Sequence, residues 1–300
     1  MHFFPIKKIV VFPMRNSEKL GKEIAEHGKF KTGKMSTTFF PDGELHLQFL
    51  NDVKGKEVVL VQSLSPEPNE SLLELVFAGK TAKDLGARKV IGVIPYLAYM
   101  RQDKRFMEGE CVSNRILSWM LSHSMDKIIT VDPHLHRIKS MAELFHIEHK
   151  KISANSAIGD YIEKNFSDKN TIIAGPDIES SQWASRIAQS IHYKSVIFLK
   201  ERFSSRHVKI NVTEELDWKG KDVVIVDDII SSGHTMIEAV KEILKRKPRS
   251  VHCICVHGIF AEGAFEKLKK AGAKTIISTN SVSHKSNGIN LAETIAKEIQ

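Results

Sequence analysis

Two adjacent carboxylates followed by a loop of small residues give the strongest chemical signal in the sequence. An apolar run over residues 222–226 leads to Asp227 and Asp228, and a helical pattern begins near residue 234, after the sequence Ile-Ile-Ser-Ser-Gly. Backbone N–H groups at the start of a helix, together with the helix dipole, favour a bound anion. The loop is therefore predicted to bind phosphate, through hydroxyl donors and a close backbone approach at Ser231, Ser232, Gly233 and Thr235.

The two carboxylates need a different partner, because they accept hydrogen bonds and repel phosphate. They suit the hydroxyl groups of a ribose. A plain strand–turn–helix connection with a serine N-cap is the alternative, but carboxylates at the end of a buried strand are destabilising unless something pairs with them. The loop is not a P-loop, since a Walker motif ends in Gly-Lys-Ser or Gly-Lys-Thr and this loop contains no lysine.

Three further segments place charged residues near the ends of predicted strands. Residues 40–44 read Phe-Pro-Asp-Gly-Glu, an ordinary turn sequence between short strands. Residues 101–105 form a cationic loop, Arg-Gln-Asp-Lys-Arg. Residues 132–136 read Asp-Pro-His-Leu-His, and a carboxylate and an imidazole at a strand end can hold Mg²⁺ directly or through water. Taken one by one, a turn, a solvated loop and a structural histidine pair would also explain these segments.

Short apolar runs rich in β-branched residues alternate with helical patterns along the chain. Runs of this kind suit strands that are buried on both faces. Helices are predicted over residues 70–86 and 234–246, with Ser17 as the N-cap of an earlier helix. The alternation predicts an α/β protein with mainly parallel sheets and right-handed crossovers. The predicted strands are residues 9–12, 58–62, 90–95, 127–131, 171–174, 195–199, 222–226, 251–256 and 275–278.

The length of the chain favours two doubly wound domains over one very large sheet. The alternation of strands and helices pauses near residues 146–152. We therefore expect an N-terminal domain over residues 1–147 and a C-terminal domain over residues 148–300. A closing helix over residues 291–300 could pack back on the N-terminal domain.

Composition narrows the functional classes. The 300 residues carry a net charge of +8, but Lys and Arg are dispersed and no basic stretch is interleaved with aromatic residues, which argues against nucleic-acid binding. No apolar run is long enough for a membrane-spanning helix, and the N-terminus does not resemble a signal peptide. The cysteines, Cys111, Cys253 and Cys255, predict reduced thiols in a cytoplasmic protein. Cys253 and Cys255 are expected to be buried strand residues instead of metal ligands.

Taken together, the charged segments resemble those of ribose-phosphate pyrophosphokinases over nearly the whole chain. The acidic pair and its loop resemble the phosphoribosyl pyrophosphate signature, which these enzymes share with phosphoribosyltransferases. The other segments favour the pyrophosphokinases. The resemblance implies two domains of the phosphoribosyltransferase type. It also implies a transferase of nucleotide biosynthesis that moves the pyrophosphoryl group of ATP to the 1-hydroxyl of ribose 5-phosphate and releases AMP. The matching segments are residues 40–44, 94–106, 130–136, 198–202 and 222–236.

The resemblance also implies a role for each matching residue. The N-terminal domain would contribute the ATP site, and the C-terminal domain would bind ribose 5-phosphate. A homo-oligomer, at least a dimer, is expected, because in the family the segment at residues 40–44 reaches ATP from a neighbouring subunit. The implied ATP contacts are Phe40, Asp42, Glu44, Arg101, Gln102, Lys104 and Arg105. The implied ribose 5-phosphate contacts are Asp227, Asp228, Ser231, Ser232, Gly233, His234 and Thr235. The implied Mg²⁺ residues are His134, Asp132 and Asp177, and the implied catalytic residues, in a mobile loop, are Lys200 and Arg202.

Several positions depart from the pattern of the best-known members. Ser231 and Ser232 stand where those members carry Asp-Thr, and His234 stands in place of a glycine. Residues 107–110 are more similar to archaeal and other divergent members, while His136 and Arg137 match no known role. Allosteric control and hexameric assembly are therefore left open. Two other functions also stay open: a phosphoribosyltransferase that consumes phosphoribosyl pyrophosphate, and an inactive regulatory subunit of a synthase complex.

Overall fold

Most of the buried apolar runs of the sequence become strands of two mainly parallel sheets. The structure, a computed structural model, describes residues 8–135, 137–202, 208–212 and 217–300, with the backbone alone described at residues 178–179, 181–182, 197–202 and 208–212. One compact unit comprises the chain up to Ile152, together with Ser281–Ser283 and Leu291–Gln300. The other comprises Ser153–Asn280 and His284–Asn290.

The first unit is built on a six-stranded parallel sheet. The chain enters at β1 (Ile9–Pro13), and the strand order across the sheet is β2-β1-β5-β6-β7-β8. A separate antiparallel hairpin pairs β3 with β4, with Thr37 opposite Leu47. The remaining strands are β2 (Lys31–Thr32), β3 (Met35–Phe39), β4 (Leu45–Phe49), β5 (Glu57–Val61), β6 (Lys89–Ile94), β7 (Lys127–Val131) and β8 (Glu148–Ile152).

Helices of the first unit bury apolar stripes against this sheet. The predicted helix at residues 70–86 is α2, and its residues Leu72, Leu75 and Ala82 pack into one core cluster with Leu117 and Leu121 of α3. Removing such side chains from water is the main favourable term in folding. The helices that follow β1, β5 and β6 are α1 (Glu18–Gly28), α2 (Pro68–Asp84) and α3 (Ser113–Ser124), and short 3₁₀ turns cover Arg15–Ser17 and Met141–Glu143.

The second unit is built on a seven-stranded sheet. Its order is β11-β10-β9-β12-β13-β14-β15, and each pairing is parallel except that of β10 with β11. The strands are β9 (Thr171–Gly175), β10 (Lys194–Arg202), β11 (Val208–Val212), β12 (Asp222–Ile230), β13 (Ser250–Gly258), β14 (Thr275–Thr279) and β15 (Asn287–Ile289). The helices are α4 (Asn155–Asn165), α5 (Ile178–Ser190), α6 (His234–Leu244) and α7 (Ala264–Lys270), with 3₁₀ turns at Asp168–Asn170 and Ala261–Gly263.

The C-terminal helix α8 (Ala292–Lys297) belongs to the first unit and packs against α1. Two lysines of the sheet hold the residue that follows it. Lys127 Nζ donates to the carbonyl of Glu298 at 3.0 Å, and Lys150 Nζ lies 2.9 Å from the Glu298 carboxylate. Cations that meet the last carbonyls of a helix offset its dipole, so these contacts stabilise the end of α8.

An ion pair closes the amino-terminal edge of the second sheet. Asp222, the first residue of β12, contacts the Arg249 guanidinium and accepts a hydrogen bond from the Ser250 hydroxyl. These partners lower the pKa of Asp222 to about 2, the Arg249 hydrogen bond having the largest effect. His252 continues the network between Ser250 and Thr275, with contacts of 2.8 and 2.7 Å.

The two cysteines of β13 are fully buried, as predicted. Burial raises the pKa of the Cys253 and Cys255 thiols, so both stay protonated and apolar at neutral pH. The described part of the chain has no helix of the length and apolarity that crossing a membrane requires.

Candidate active site

Three carboxylates of the second unit gather at the carboxyl ends of β9 and β12. The two strands are parallel neighbours, so residues at their ends meet at one edge of the sheet. Asp177 follows β9 and caps α5, where its Oδ1 accepts a hydrogen bond from the Ser180 backbone N–H at 2.9 Å. The Ser180 hydroxyl donates in turn to Asp227 Oδ1 at 2.7 Å. Ser180 therefore connects two predicted site residues that are 50 positions apart in the sequence (227 − 177).

Asp227 is the buried member of this cluster. The prediction ended the strand at residue 226, whereas β12 extends to Ile230 and takes both aspartates into the sheet. Asp227 is 8% exposed. Burial, then the nearby charges of Asp228 and Asp177, raise the pKa of Asp227 well above its usual range. The Ser180 hydroxyl and the Asp228 backbone N–H, at 3.0 Å, oppose this shift. Such an unfavourable concentration of negative charge is typical of a site that binds cations or hydroxyl donors.

The predicted phosphate loop leads into α6 through Gly233. Gly233 has a φ of 77° and is the N-cap of the helix, with no side-chain cap, so the serine N-cap alternative is wrong. A Cβ at this position would also lie 3.0 Å from the Ala264 Cβ. Both constraints favour glycine. The helix start has backbone N–H groups without intrahelical partners, which is the arrangement that binds anions.

Side chains of the loop stand around this helix start. Ser231, Ser232 and Thr235 are half-buried, and His234 is exposed. The Nδ1 atom of His234 lies 2.9 Å from the Ser232 hydroxyl. Two residues that depart from the family pattern, His234 and Ser232, therefore contact each other.

The segment after β13 contacts the phosphate loop at Ile230 and Gly233. The backbone N–H groups of Ile259 and Phe260 both donate to the Ile230 carbonyl at 3.0 Å. Ala264, at the start of α7, meets Gly233. This support could not be predicted, because Ile230 and Ala264 are apolar residues whose types do not indicate a functional role.

In the first unit, the cationic loop follows β6 and is organised by Glu110. One carboxylate oxygen, Glu110 Oε2, accepts hydrogen bonds from the backbone N–H groups of Phe106 and Met107, at 2.8 and 3.1 Å, and from Gln102 Nε2 at 2.9 Å. The backbone bonds lower the pKa of Glu110, so this carboxylate is ionised at neutral pH. The predicted ATP residue Gln102 is thereby fixed. The predicted cations Arg101, Lys104 and Arg105 are exposed.

Asp132 and His134 lie just beyond the carboxyl end of β7, the parallel neighbour of β6. Asp132 has a φ of 31°, in the left-handed region, and its N–H donates to the Ile152 carbonyl at 2.9 Å. Strained backbone of this kind concentrates at functional sites. His136 lies outside the described residues. Across the described residues, no three His, Cys, Asp or Glu side chains converge into a complete metal site.

The turn at residues 40–44 is the tip of the β3–β4 hairpin. The Phe40 N–H donates to the Glu44 carbonyl at 2.8 Å, and Gly43 adopts a φ of 92°. The base of the hairpin packs on the core through Met35, Leu47 and Phe49. The tip is solvent-exposed, with Phe40 49% exposed and Asp42 also exposed. The tip of the hairpin therefore exposes an aromatic ring and carboxylates to solvent.

Lys200 and Arg202 lie on the last residues of β10. Lys200 pairs with Ile210 of β11, and Arg202 pairs with Val208. The predicted strand at residues 195–199 thus continues to Arg202. The side chains of Lys200 and Arg202 lie outside the described part of the structure.

The chain is similar to known proteins along its whole length. A family model for the N-terminal domain of ribose phosphate pyrophosphokinase matches residues 9–124, and a phosphoribosyl transferase domain model matches residues 140–294. The ribose-phosphate pyrophosphokinase of Methanobrevibacter smithii is 35% identical, over 95% of this chain and 97% of that protein. That of Methanopyrus kandleri is 30% identical, over 97% and 99%. The crystal structure of phosphoribosylpyrophosphate synthetase from Mycobacterium smegmatis has the same fold, with a TM-score of 0.85 over 98% of each chain and 24% identity.

The raised pKa of Asp227 predicts that neutralising this carboxyl stabilises the ligand-free protein. We expect Asp227→Asn to raise the Tm at pH 7, by about 2–4 °C for each kcal/mol of repulsion removed. The advantage should appear above pH ~4, where the carboxyl ionises in the unfolded chain. It should grow until the pH passes the raised folded-state pKa. Thermal melts between pH 4 and 8 measure it. Asp160→Asn, at an exposed position of α4, is the control and should change little. A lower Tm for Asp227→Asn at pH 7 would contradict the electrostatic analysis.

Proposed function

Because this chain belongs to the ribose-phosphate pyrophosphokinase family, we propose that it transfers the pyrophosphoryl group of Mg-ATP to the 1-hydroxyl of ribose 5-phosphate. The observation that carries the proposal is the buried Asp227 carboxylate, next to Asp177 and in front of the Gly233 loop. This site pairs acceptors for sugar hydroxyls with an anion-binding helix start. The match of residues 9–124 to the N-terminal domain of the pyrophosphokinases supports this reaction over that of a phosphoribosyltransferase.

The second unit is the proposed ribose 5-phosphate domain. The 5-phosphate would accept hydrogen bonds from the backbone N–H groups at the start of α6 and from Ser231, Ser232 and Thr235. His234, which contacts Ser232, would complete the loop. Asp227 and Asp228 would accept hydrogen bonds from the ribose hydroxyls. Each such bond relieves part of the repulsion among the carboxylates, so the substrate would stabilise the charge that the free protein tolerates poorly.

The first unit is the proposed ATP domain. The loop after β6 would bring Arg101, Lys104 and Arg105 to the phosphates and Gln102 to the nucleotide. Phe40, Asp42 and Glu44 would come from the hairpin of a second copy of the chain, which is supported by the exposure of Phe40 and Asp42. This arrangement requires at least a dimer. We propose a cytoplasmic enzyme of two domains that divide near residue 147, with the closing helix at residues 291–300 packed back on the first domain.

Mg²⁺ is the proposed cofactor, and the donor set suits it. In the first unit, Asp132 supplies an oxygen ligand of the kind that Mg²⁺ prefers, and His134 would act directly or through water. In the second unit, Asp177 would help to hold a second metal–water cluster. Mg²⁺ usually takes only one or two carboxylates from a protein, together with substrate phosphates and water. A site that is incomplete without ATP and ribose 5-phosphate therefore fits this metal. When bound, the metal would supply charge neutralisation on the phosphate oxygens.

In the proposed reaction the ribose 1-hydroxyl oxygen bonds to the β-phosphorus, and the bond from that phosphorus to the α,β-bridging oxygen breaks. AMP leaves with the bridging oxygen. Little covalent chemistry falls to the protein, so positioning and charge stabilisation dominate. Lys200 and Arg202 are the proposed donors to the transferring group.

Activity is the direct test of the proposal. The purified protein should form AMP and phosphoribosyl pyrophosphate only when Mg²⁺, ATP and ribose 5-phosphate are all present, as measured by separation of the nucleotides and phosphorus NMR of the sugar product. Formation of ADP in place of AMP would mean attack at the γ-phosphorus and would refute the proposal. A protein that binds ribose 5-phosphate and ATP but makes neither AMP nor ADP would be the inactive regulatory subunit.

Lys200→Ala tests the proposed transition-state donor. Removing such a donor lowers kcat by about 10²–10³, and we expect the affinities for both substrates to change little. Lys194→Ala is the matched control, because it removes a lysine from the other end of the same strand. Steady-state kinetics of the two variants decide the matter. A kcat for Lys200→Ala within about threefold of wild type would assign the role to another residue.

Asp228→Asn tests whether the acidic pair binds ribose 5-phosphate and not ATP. The loss of a charged hydrogen bond should weaken ribose 5-phosphate binding by about 10- to 150-fold, while ATP binding changes much less. Calorimetric titration of each substrate measures the split. Asp222→Asn, at the opposite end of β12, should lower the Tm and leave both affinities near wild type. An Asp228→Asn variant that binds ribose 5-phosphate normally and loses ATP would reverse our assignment of the pocket.

A further inference from the structure

One ion pair ties the cationic loop after β6 to the segment that follows β7. We propose that Asp103 and Arg137 are positioning residues. They hold the nucleotide loop (residues 101–111) against the metal segment (residues 132–135), so that ATP and Mg²⁺ bind together at one site. The inference rests on the proposed function for the roles of the two segments. Neither Asp103 nor Arg137 had an assigned role from the sequence.

The contact uses both oxygens of the Asp103 carboxylate. Arg137 NH1 donates to Oδ1 at 2.9 Å, and the Arg137 backbone N–H lies 3.3 Å from Oδ2. The backbone contact matters most, because it fixes the path of the chain just beyond His134. The side-chain contact fixes only the orientation of the long Arg137 side chain. A side-chain contact alone could be kept while the backbone moved.

The pair is buried on one side only. The Asp103 side chain is 1% exposed, whereas that of Arg137 is 45% exposed. A buried carboxylate that loses its cationic partner is strongly destabilised, so the loop is held in the one position that keeps Asp103 paired. A fully exposed pair would exert much less restraint, since solvent competes for both charges.

A second contact joins the same two segments. The Phe106 ring contacts two cations, with Lys104 Nζ 5.1 Å and the Arg137 guanidinium carbon 5.4 Å from its centroid. Both distances are within the range of cation–π attraction. Arg137 thus meets the loop at a carboxylate and at an aromatic ring.

The internal shape of the loop has a separate origin. Glu110 gathers Gln102, Phe106 and Met107, all within the loop. Loss of the Asp103–Arg137 pair should therefore leave the loop folded and free its position relative to Asp132 and His134. The expected consequence is specific: Mg-ATP binding weakens, the requirement for Mg²⁺ rises, and ribose 5-phosphate binding by the second unit is unaffected.

Arg137→Ala tests this inference, with Arg88→Ala as the matched control. Arg88 is also about half exposed and pairs with a buried carboxylate, Glu57, but at the start of β5, away from the loops. We expect Arg137→Ala to weaken Mg-ATP binding by roughly tenfold and to raise the Mg²⁺ concentration for half-maximal activity. The affinity for ribose 5-phosphate should stay within about twofold of wild type. Arg88→Ala should lower the Tm without either nucleotide effect. If Arg137→Ala proves unstable, Arg137→Lys keeps the charge, loses the planar donor group, and should show the same changes in weaker form.

Hydrogen exchange supplies a measurement that needs no activity. In the ligand-free protein, peptides covering residues 132–139 should exchange faster in Arg137→Ala than in wild type, because the guanidinium contact to Asp103 is lost and only the 3.3 Å backbone contact is left to hold this segment. Peptides of the same segment should be unchanged in Arg88→Ala. Unchanged exchange together with unchanged Mg-ATP affinity in Arg137→Ala would overturn the positioning role. A wild-type protein that binds no ATP would refute the proposed function instead, and the exchange result would still decide whether the contact holds the segment.

Discussion

A carboxylate that the fold buries near the end of a central strand is the constraint on which the second unit depends. β12 lies between β9 and β13 in the middle of the seven-stranded sheet, and Asp227 on it is 8% exposed. Asp227 must therefore be satisfied by its immediate surroundings. Ser180 and the Asp228 backbone N–H supply hydrogen bonds, while Asp177 and Asp228 add repulsion. The local structure thus holds the carboxylate in place without satisfying its charge, which leaves binding energy for a ligand.

In the first unit the carboxylates stabilise a loop, and it is the cations that are left exposed. In the loop after β6, both carboxylates with described contacts serve structure: Glu110 shapes the loop and Asp103 anchors it. The cations Arg101, Lys104 and Arg105 extend into solvent. Anchored carboxylates prevent these cations from being neutralised by their own chain. A loop of this design presents positive charge to a polyanion, and its rigidity reduces the ordering entropy that binding costs.

The central strands could be predicted from the sequence, and the edge strands could not. Every predicted strand corresponds to one in the structure, since continuous apolar runs mark strands that are buried on both faces. In the two large sheets the missed strands are β2, β8, β11 and β15, which are the outermost in those sheets. β2 is fully exposed, and β8 has one buried residue out of five. An edge strand needs no such apolar run, so its position follows from pairing with its neighbour, which a sequence pattern does not record.

The predicted site residues belong to a local sequence motif, whereas the missed ones depend on contacts between distant segments. Asp227, Gly233 and Thr235 stand in one continuous motif, so their types and spacing indicated their chemistry. Ser180 and Arg137 act through contacts that span 47 and 34 positions. Neither residue type is unusual at its place in the sequence. Such residues become visible only when the fold brings distant segments together. Arg137 also departs from the family pattern, and such a departure does not by itself indicate what the residue does.

Two aspartates of one strand show how electrostatics distinguishes a structural from a functional carboxylate. Asp222 begins β12 and Asp227 lies five residues on (227 − 222), both with 8% exposure. Asp222 has Arg249 and Ser250, and its pKa falls to about 2, so it contributes stability above pH ~4 that is lost as the pH falls toward 2. Asp227 has carboxylate neighbours, and its pKa rises, so its ionisation reduces stability as the pH increases. The exposed fraction and the residue type are the same at both positions, although desolvation is stronger at Asp227. Among the described residues, what differs is the charge of the neighbours: Asp222 meets a cation, whereas Asp227 meets carboxylates, an arrangement that a cation or a further hydrogen-bond donor from a ligand would relieve.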